Sequence, residues 1–142
     1  MQFRTISALA LAAGLFAPTV HAQDASHQAI ILGRAAFADH CAGCHGESGK
    51  GDGVFAPELS IPPRDLTKLA ANAGGTFPFT DVYELIDGRR KARTHTFSMM
   101  PVWGNYFSSD VLTDRGISQM DADSIVQGRI LSLVFYLQTL QE

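Results

Sequence analysis

Cys41-Ala42-Gly43-Cys44-His45 decides how this chain is to be read. Two thiols three positions apart, followed at once by an imidazole, lie on one helical turn. They suit four chemistries: a structural disulfide, half of a zinc site, a thiol-exchange pair, or thioether attachment to the two vinyl groups of one haem. These are the only 2 cysteines among 142 residues, so a disulfide-dense scaffold is excluded. Zinc wants four ligands, and beyond this run the sequence after residue 22 offers only isolated His27, His40 and His95. A thiol-exchange pair belongs in a strand-helix-strand unit, and no alternating strand pattern appears here. A single disulfide leaves His45 and the long loops that follow without a purpose. Attachment of one covalent haem c accounts for all three side chains, with His45 as an iron ligand.

Outward from that run, Ile30, Ile31, Ala35, Phe37 and Ala38 recur at helical spacing, which predicts a helix from His27 to His40 running into Cys41. Gly33 lies four residues before Phe37 on the same face, where a small residue permits close approach of another helix. Residues 46–79 are broken by Gly49, Gly51, Gly53, Pro57, Pro62, Pro63, Gly74, Gly75 and Pro78 and read as a long loop wrapped around something. A short helix is predicted over Asp81–Asp87, capped by Thr80 or Asp81 and ended by Gly88. Lys91–Ile117 reads as a second irregular stretch. The clearest element is the last helix, in which Val126, Ile130, Leu133, Leu137 and Leu140 step by four and three after a polar start at Ser118, Asp121 and Asp123. The expected fold class is all-α, a small helical domain with long wrapping loops, and the length allows one hydrophobic core.

The beginning of the chain carries an address. Arg4, an apolar run from Ile6 to Phe16, Pro18 and then Val20-His21-Ala22 form the pattern of an export signal cleaved after Ala22. The apolar run has about 11 residues against the roughly 20 that span hydrocarbon. Residues 1–22 are therefore expected to be removed and 23–142 to form the single domain, exported to the periplasm without a membrane span. With 11 Lys+Arg against 14 Asp+Glu, the formal charge is −3, which gives nucleic acid no general surface to bind.

A haem iron held by His45 has a second axial position. Candidates are Met99, Met100, Met120 and His95; Met100 is preferred because Ser98–Gly104 is irregular enough to let a thioether reach inward and Pro101 fixes the backbone just after it. Donors for the haem propionates are available in Arg64, in the indole N–H of Trp103 and in Asn105. Pro57, Pro62 and Pro63 stand where they could brace His45, whose ring N–H needs a backbone carbonyl. Arg89-Arg90-Lys91-x-Arg93 is a basic cluster that suits either an acidic partner surface or a solvated helix end.

Gly33-x-x-x-Phe37, Cys41 to His45, Met100-Pro101-Val102-Trp103-Gly104 and Leu133-Val134-x-Tyr136-Leu137 together resemble the class I c-type cytochromes, over roughly residues 28–140. The resemblance implies a cytochrome c-like domain of the bacterial periplasmic type, with one covalent haem c. It also implies His45 and the methionine before proline as axial ligands, and Gly33 and Phe37 packed against Tyr136 and Leu137. The doubled Met99-Met100 and the length of Phe107–Met120 depart from the minimal family pattern. With both axial positions filled, the expected role is one-electron transfer between periplasmic redox proteins. The chain would then be a carrier and not an enzyme. The alternative is a haem c subunit of a periplasmic dehydrogenase or oxidase complex, with Phe107–Met120 as its interface.

Overall fold

Two long helices cross at a glycine, and that crossing organises the rest. The computed structural model describes residues 22–88, 101–115 and 118–142. Helix α1 spans Ala22–His40 and runs into a single-turn helix, α2, at Ala42–His45. Two 3-10 turns follow, at Ala56–Glu58 and Leu66–Lys68, then α3 at Leu69–Asn72 and α4 at Phe79–Asp87. Helix α5 covers Trp103–Arg115 and α6 covers Gln119–Thr139. Among the described residues there is no strand, and no helix is long and apolar enough to cross a membrane. The fold is all-α, as the periodicity predicts.

Helix α1 packs chiefly against α6. A side chain at Gly33 would run into the backbone carbonyl of Ser132 and stand 2.9 Å from Cβ of Tyr136, so the two backbones approach as closely as they do because residue 33 has none. One turn on, Phe37 meets Tyr136 with ring centroids 5.4 Å apart. The expected packing of Gly33 and Phe37 against the last helix is present. From α6 the core takes Val126, Ile130, Leu133, Val134 and Leu137, the stripe that its 3.6-residue period places on one side. Val82 and Ile86 of α4 and Trp103 and Phe107 of α5 close the same core. Ile130, Leu133 and Val134 are at most 1% exposed, and each such side chain contributes about 1.5–3 kcal/mol of burial.

Boundaries follow local chemistry. Ser118 caps α6, its Oγ accepting from the Asp121 N–H at 3.3 Å while its hydroxyl donates to the Asp121 carboxylate at 2.6 Å. Helix α4 begins at Phe79, with Pro78 in the N-cap position and no side-chain cap, so neither Thr80 nor Asp81 plays the capping role expected of it. Its end is as expected: Gly88 takes the left-handed conformation, φ 87°, and its N–H bonds to the Glu84 carbonyl. The reading of Lys91–Ile117 as irregular is corrected by α5, which occupies Trp103–Arg115. Its polar, serine-rich sequence carries little apolar periodicity. What holds it is tertiary: Trp103 and Phe107, one turn apart, bury against His40 and the core.

Candidate functional site

The Cys41–His45 run is a helical turn added to the end of α1. The Cys41 N–H donates to the Phe37 carbonyl at 2.8 Å, closing α1, and the His45 and Gly46 N–H groups donate to the carbonyls of Cys41 and Ala42 at 2.9 and 2.8 Å. Both cysteines are half-buried free thiols. Burial, with a smaller push from neighbouring Cys44, raises the Cys41 thiol to a pKa of about 12. A Cys41 thiol held protonated by burial is a poor exchange partner, which counts against a redox dithiol. Among the described residues no group of three or more His, Cys, Asp or Glu side chains could hold a metal ion.

The loop after Gly46 folds back along this turn. The N–H groups of Gly51, Gly53 and Phe55 donate to the carbonyls of His45, Cys44 and Gly43 at 2.7, 3.1 and 2.9 Å. Gly53 lies so close that a Cβ there would stand 2.6 Å from the Cys44 carbonyl carbon. Gly51 has φ 84° and abuts the Pro63 carbonyl, a conformation and an approach that only glycine combines. Of the loop expected over residues 46–79, the part from Gly51 to Arg64 folds onto the Cys-His turn, whereas Leu66–Asn72 is helical rather than irregular.

His45 Nδ1 lies 3.0 Å from the Arg64 carbonyl oxygen. A carbonyl only accepts, so Nδ1 carries the proton and Nε2 is left with its lone pair. Burial holds the imidazole pKa below its ordinary value, with the Arg64 bond pulling the other way, so the ring is neutral at neutral pH. A neutral imidazole with Nδ1 anchored and Nε2 unprotonated is the metal-binding form.

The other site residues expected from sequence fall into three groups. Arg64 is present through its backbone, not through its guanidinium, which is exposed. Trp103 is 7% exposed, with its ring centroid 5.5 Å from that of His40, the residue before Cys41; its indole nitrogen is buried with no hydrogen-bond partner among the described residues. Met100, with Met99 and His95, lies outside the described residues, as do the Arg89–Arg93 cluster and residues 1–21 of the export segment. Met120 is 80% exposed at the start of α6. Sequence reasoning left open which carbonyl serves His45 and gave no hint of Gln141, described below; a backbone acceptor carries no side-chain signature.

These residues fit a covalently held haem. Two free, half-buried thiols stand on one turn beside a neutral imidazole, and an orphaned indole N–H is buried next to that turn. The apolar side chains that follow, Val54, Phe55 and Ile61, are exposed, surface that an apolar ring system would cover.

Comparison with known proteins agrees. The family model described as cytochrome c matches residues 30–122, well over half of the chain. No curated protein and no solved structure matches. The match ends in the first turn of α6, so the packing of α6 on α1 is a result of the structure alone. The chain belongs to the cytochrome c family: it carries haem c covalently, with cysteines at 41 and 44 in the required spacing, and its chemistry is haem-based electron transfer with redox protein partners.

Proposed function

We propose that this is a monohaem class I cytochrome of the bacterial periplasmic type, attached through Cys41 and Cys44, with His45 and Met100 as axial ligands, shuttling single electrons between periplasmic proteins after loss of residues 1–22. When bound, haem c supplies an iron that cycles between ferrous and ferric states. The observation that carries the reading is the His45 Nδ1–H bond to the Arg64 carbonyl, which anchors the ring and leaves Nε2 free to serve as a ligand. Trp103 Nε1 and the Arg64 guanidinium are the proposed donors to the propionates, the first because its N–H is otherwise unsatisfied, the second because it is exposed on the very residue whose carbonyl contacts His45. A methionine thioether as second ligand favours the ferrous state, suiting delivery to an oxidising acceptor.

Met100→Ala is expected to abolish the weak red charge-transfer band of the oxidised protein, lower the midpoint potential by on the order of 0.1 V within the roughly 0.8 V that axial ligands span, and open the iron to carbon monoxide. Met99→Ala should leave all three unchanged. The reverse pattern assigns the ligand to Met99, and persistence of the band in both variants points to His95.

Shuttling requires a small, quickly released contact. Converting Arg89, Arg90 and Arg93 to Gln should slow reduction by an acidic partner about tenfold at low ionic strength and flatten its salt dependence, with spectrum and folding unchanged. Stopped-flow rates measured across a salt series check this; a tight complex surviving high salt and gel filtration would favour the subunit of a dehydrogenase or oxidase. Such a complex would use the Phe107–Met120 segment as its interface, in which Phe107 itself is buried in the core and Met120 is 80% exposed.

A further inference from the structure

Gln141 follows the Leu140 C-cap of α6, and its amide makes three hydrogen bonds. Its Nε2 donates to the Leu137 carbonyl at 2.7 Å, in the last turn of its own helix, and to the Leu66 carbonyl at 2.9 Å; its Oε1 accepts from the Ala70 N–H at 2.9 Å. The neighbouring Glu142 N–H donates to the Thr67 carbonyl at 3.1 Å. One end of the longest helix thus grips residues 66–70 from both sides.

That segment begins two residues after Arg64. It is stiff within itself: the Asp65 carboxylate accepts from the Thr67 N–H and hydroxyl at 2.8 and 2.7 Å, Thr67 is 2% exposed, and the Leu66 N–H donates to the Gly49 carbonyl at 2.7 Å. Just ahead of Arg64, the Pro63 carbonyl is pressed against Gly51. Arg64 itself has an exposed side chain, so the direction of its carbonyl is set by what holds the chain on either side. On the far side, that is Gln141. Lys68 and Lys50 also reach the Glu142 carboxylate, at 2.8 and 3.2 Å, but those pairs are about half exposed and contribute little.

We propose that Gln141 is a positioning residue for His45. By tying residues 66–70 to α6 it holds the Arg64 carbonyl in line with Nδ1, and so sets the electron-donating strength of the imidazole. A ring whose N–H is well bonded is the more basic ligand and stabilises ferric iron. Loosening the strap should therefore raise the midpoint potential. The inference rests on His45 being an axial ligand.

The test uses the holoprotein. Gln141→Met keeps an unbranched side chain of similar length and removes all three amide bonds. It should lower the ferric-to-ferrous ratio at a fixed poise by about threefold, roughly 28 mV at 59 mV per tenfold, with the absorption spectrum still that of wild type. Gln141→Glu keeps the acceptor for the Ala70 N–H and loses the donors to Leu66 and Leu137. It should fall between the two, and it decides the matter if the Met variant does not fold. Val126→Ala, a core truncation in the same helix, should lower thermal stability without moving the potential. An unmoved potential in both Gln141 variants, or an equal shift in Val126→Ala, would overturn the proposal. His45→Gln separates the two inferences: a wild-type spectrum there unseats the ligation reading, whereas a lost spectrum beside unmoved Gln141 potentials unseats the strap alone.

Discussion

Cys41→Ala and Cys44→Ala each leave a single thioether to hold the prosthetic group, and both are expected to bring the yield of mature holoprotein close to zero. The double variant should hold no covalent haem. In wild type the group should stay with the polypeptide through denaturation and extraction into acidified organic solvent, at one per chain, because no third cysteine exists. Haem that leaves wild-type chain in that extraction would sink the attachment reading. The consequence for folding should be graded. The α1–α6 core is built from side chains of the protein itself, Phe37, Ile130, Leu133 and Val134 among them, whereas Val54, Phe55 and Ile61 in the wrapping loop face solvent unless something covers them. The double variant should therefore lose protection from hydrogen exchange first across residues 46–66, and last at the helix crossing.

The parts of this molecule that were legible in the sequence are those in which a side chain does the work. The stripe from Val126 to Leu137 announces α6, and Gly33 with Phe37 announces the crossing, because burial and close approach select residue types at fixed spacing. The Cys-His turn is legible for the same reason. Helix α5 was not, since its sequence is polar and, among its described side chains, Trp103 and Phe107 hold its place in the core; Pro101 shortly before its first residue was the one local hint. The start of α4 was misplaced because no side chain caps it. At the site, the Arg64 carbonyl and the grip of Gln141 on Leu66 and Ala70 are backbone interactions between distant segments. Any residue type could supply the carbonyl, and nothing local marks a glutamine as a strap.

This difference also explains how the site is supported. The turn that carries Cys41, Cys44 and His45 continues α1, and α1 is fixed by α6. The carbonyl that orients His45 sits on a loop whose far end is also fixed by α6, through Gln141. Both halves of the hydrogen bond are thus referred to one rigid element, although neither His45 nor Arg64 belongs to it. If His45 is the axial ligand proposed above, an imidazole held this way would change little in orientation between oxidation states.

The same substitution at two glycines of the crossing helices should have opposite signs. Gly33→Ala places a methyl group against the Ser132 carbonyl, with Cβ of Tyr136 2.9 Å away, and backbone cannot step aside as a flexible side chain can. Alanine gains about 1 kcal/mol over glycine in a helix interior, but forcing two packed helices apart costs about 1–3 kcal/mol or more and loosens Phe37 against Tyr136 one turn on. The collision is severe enough to place the cost at the upper end, so the variant should lose about 2 kcal/mol, a fall in Tm of roughly 8 °C at about 4 °C per kcal/mol. Gly128 lies in α6 with nothing within 4 Å of a Cβ built on it, so Gly128→Ala keeps the propensity gain alone and should raise Tm by up to roughly 4 °C. Thermal melts of the two holoproteins read the difference directly. A Gly33→Ala variant as stable as wild type would mean that the helices do not meet backbone to backbone at that position. Because α1 carries the Cys-His turn, the destabilised variant should also show a broadened spectroscopic transition at the haem, while Gly128→Ala leaves the spectrum unchanged.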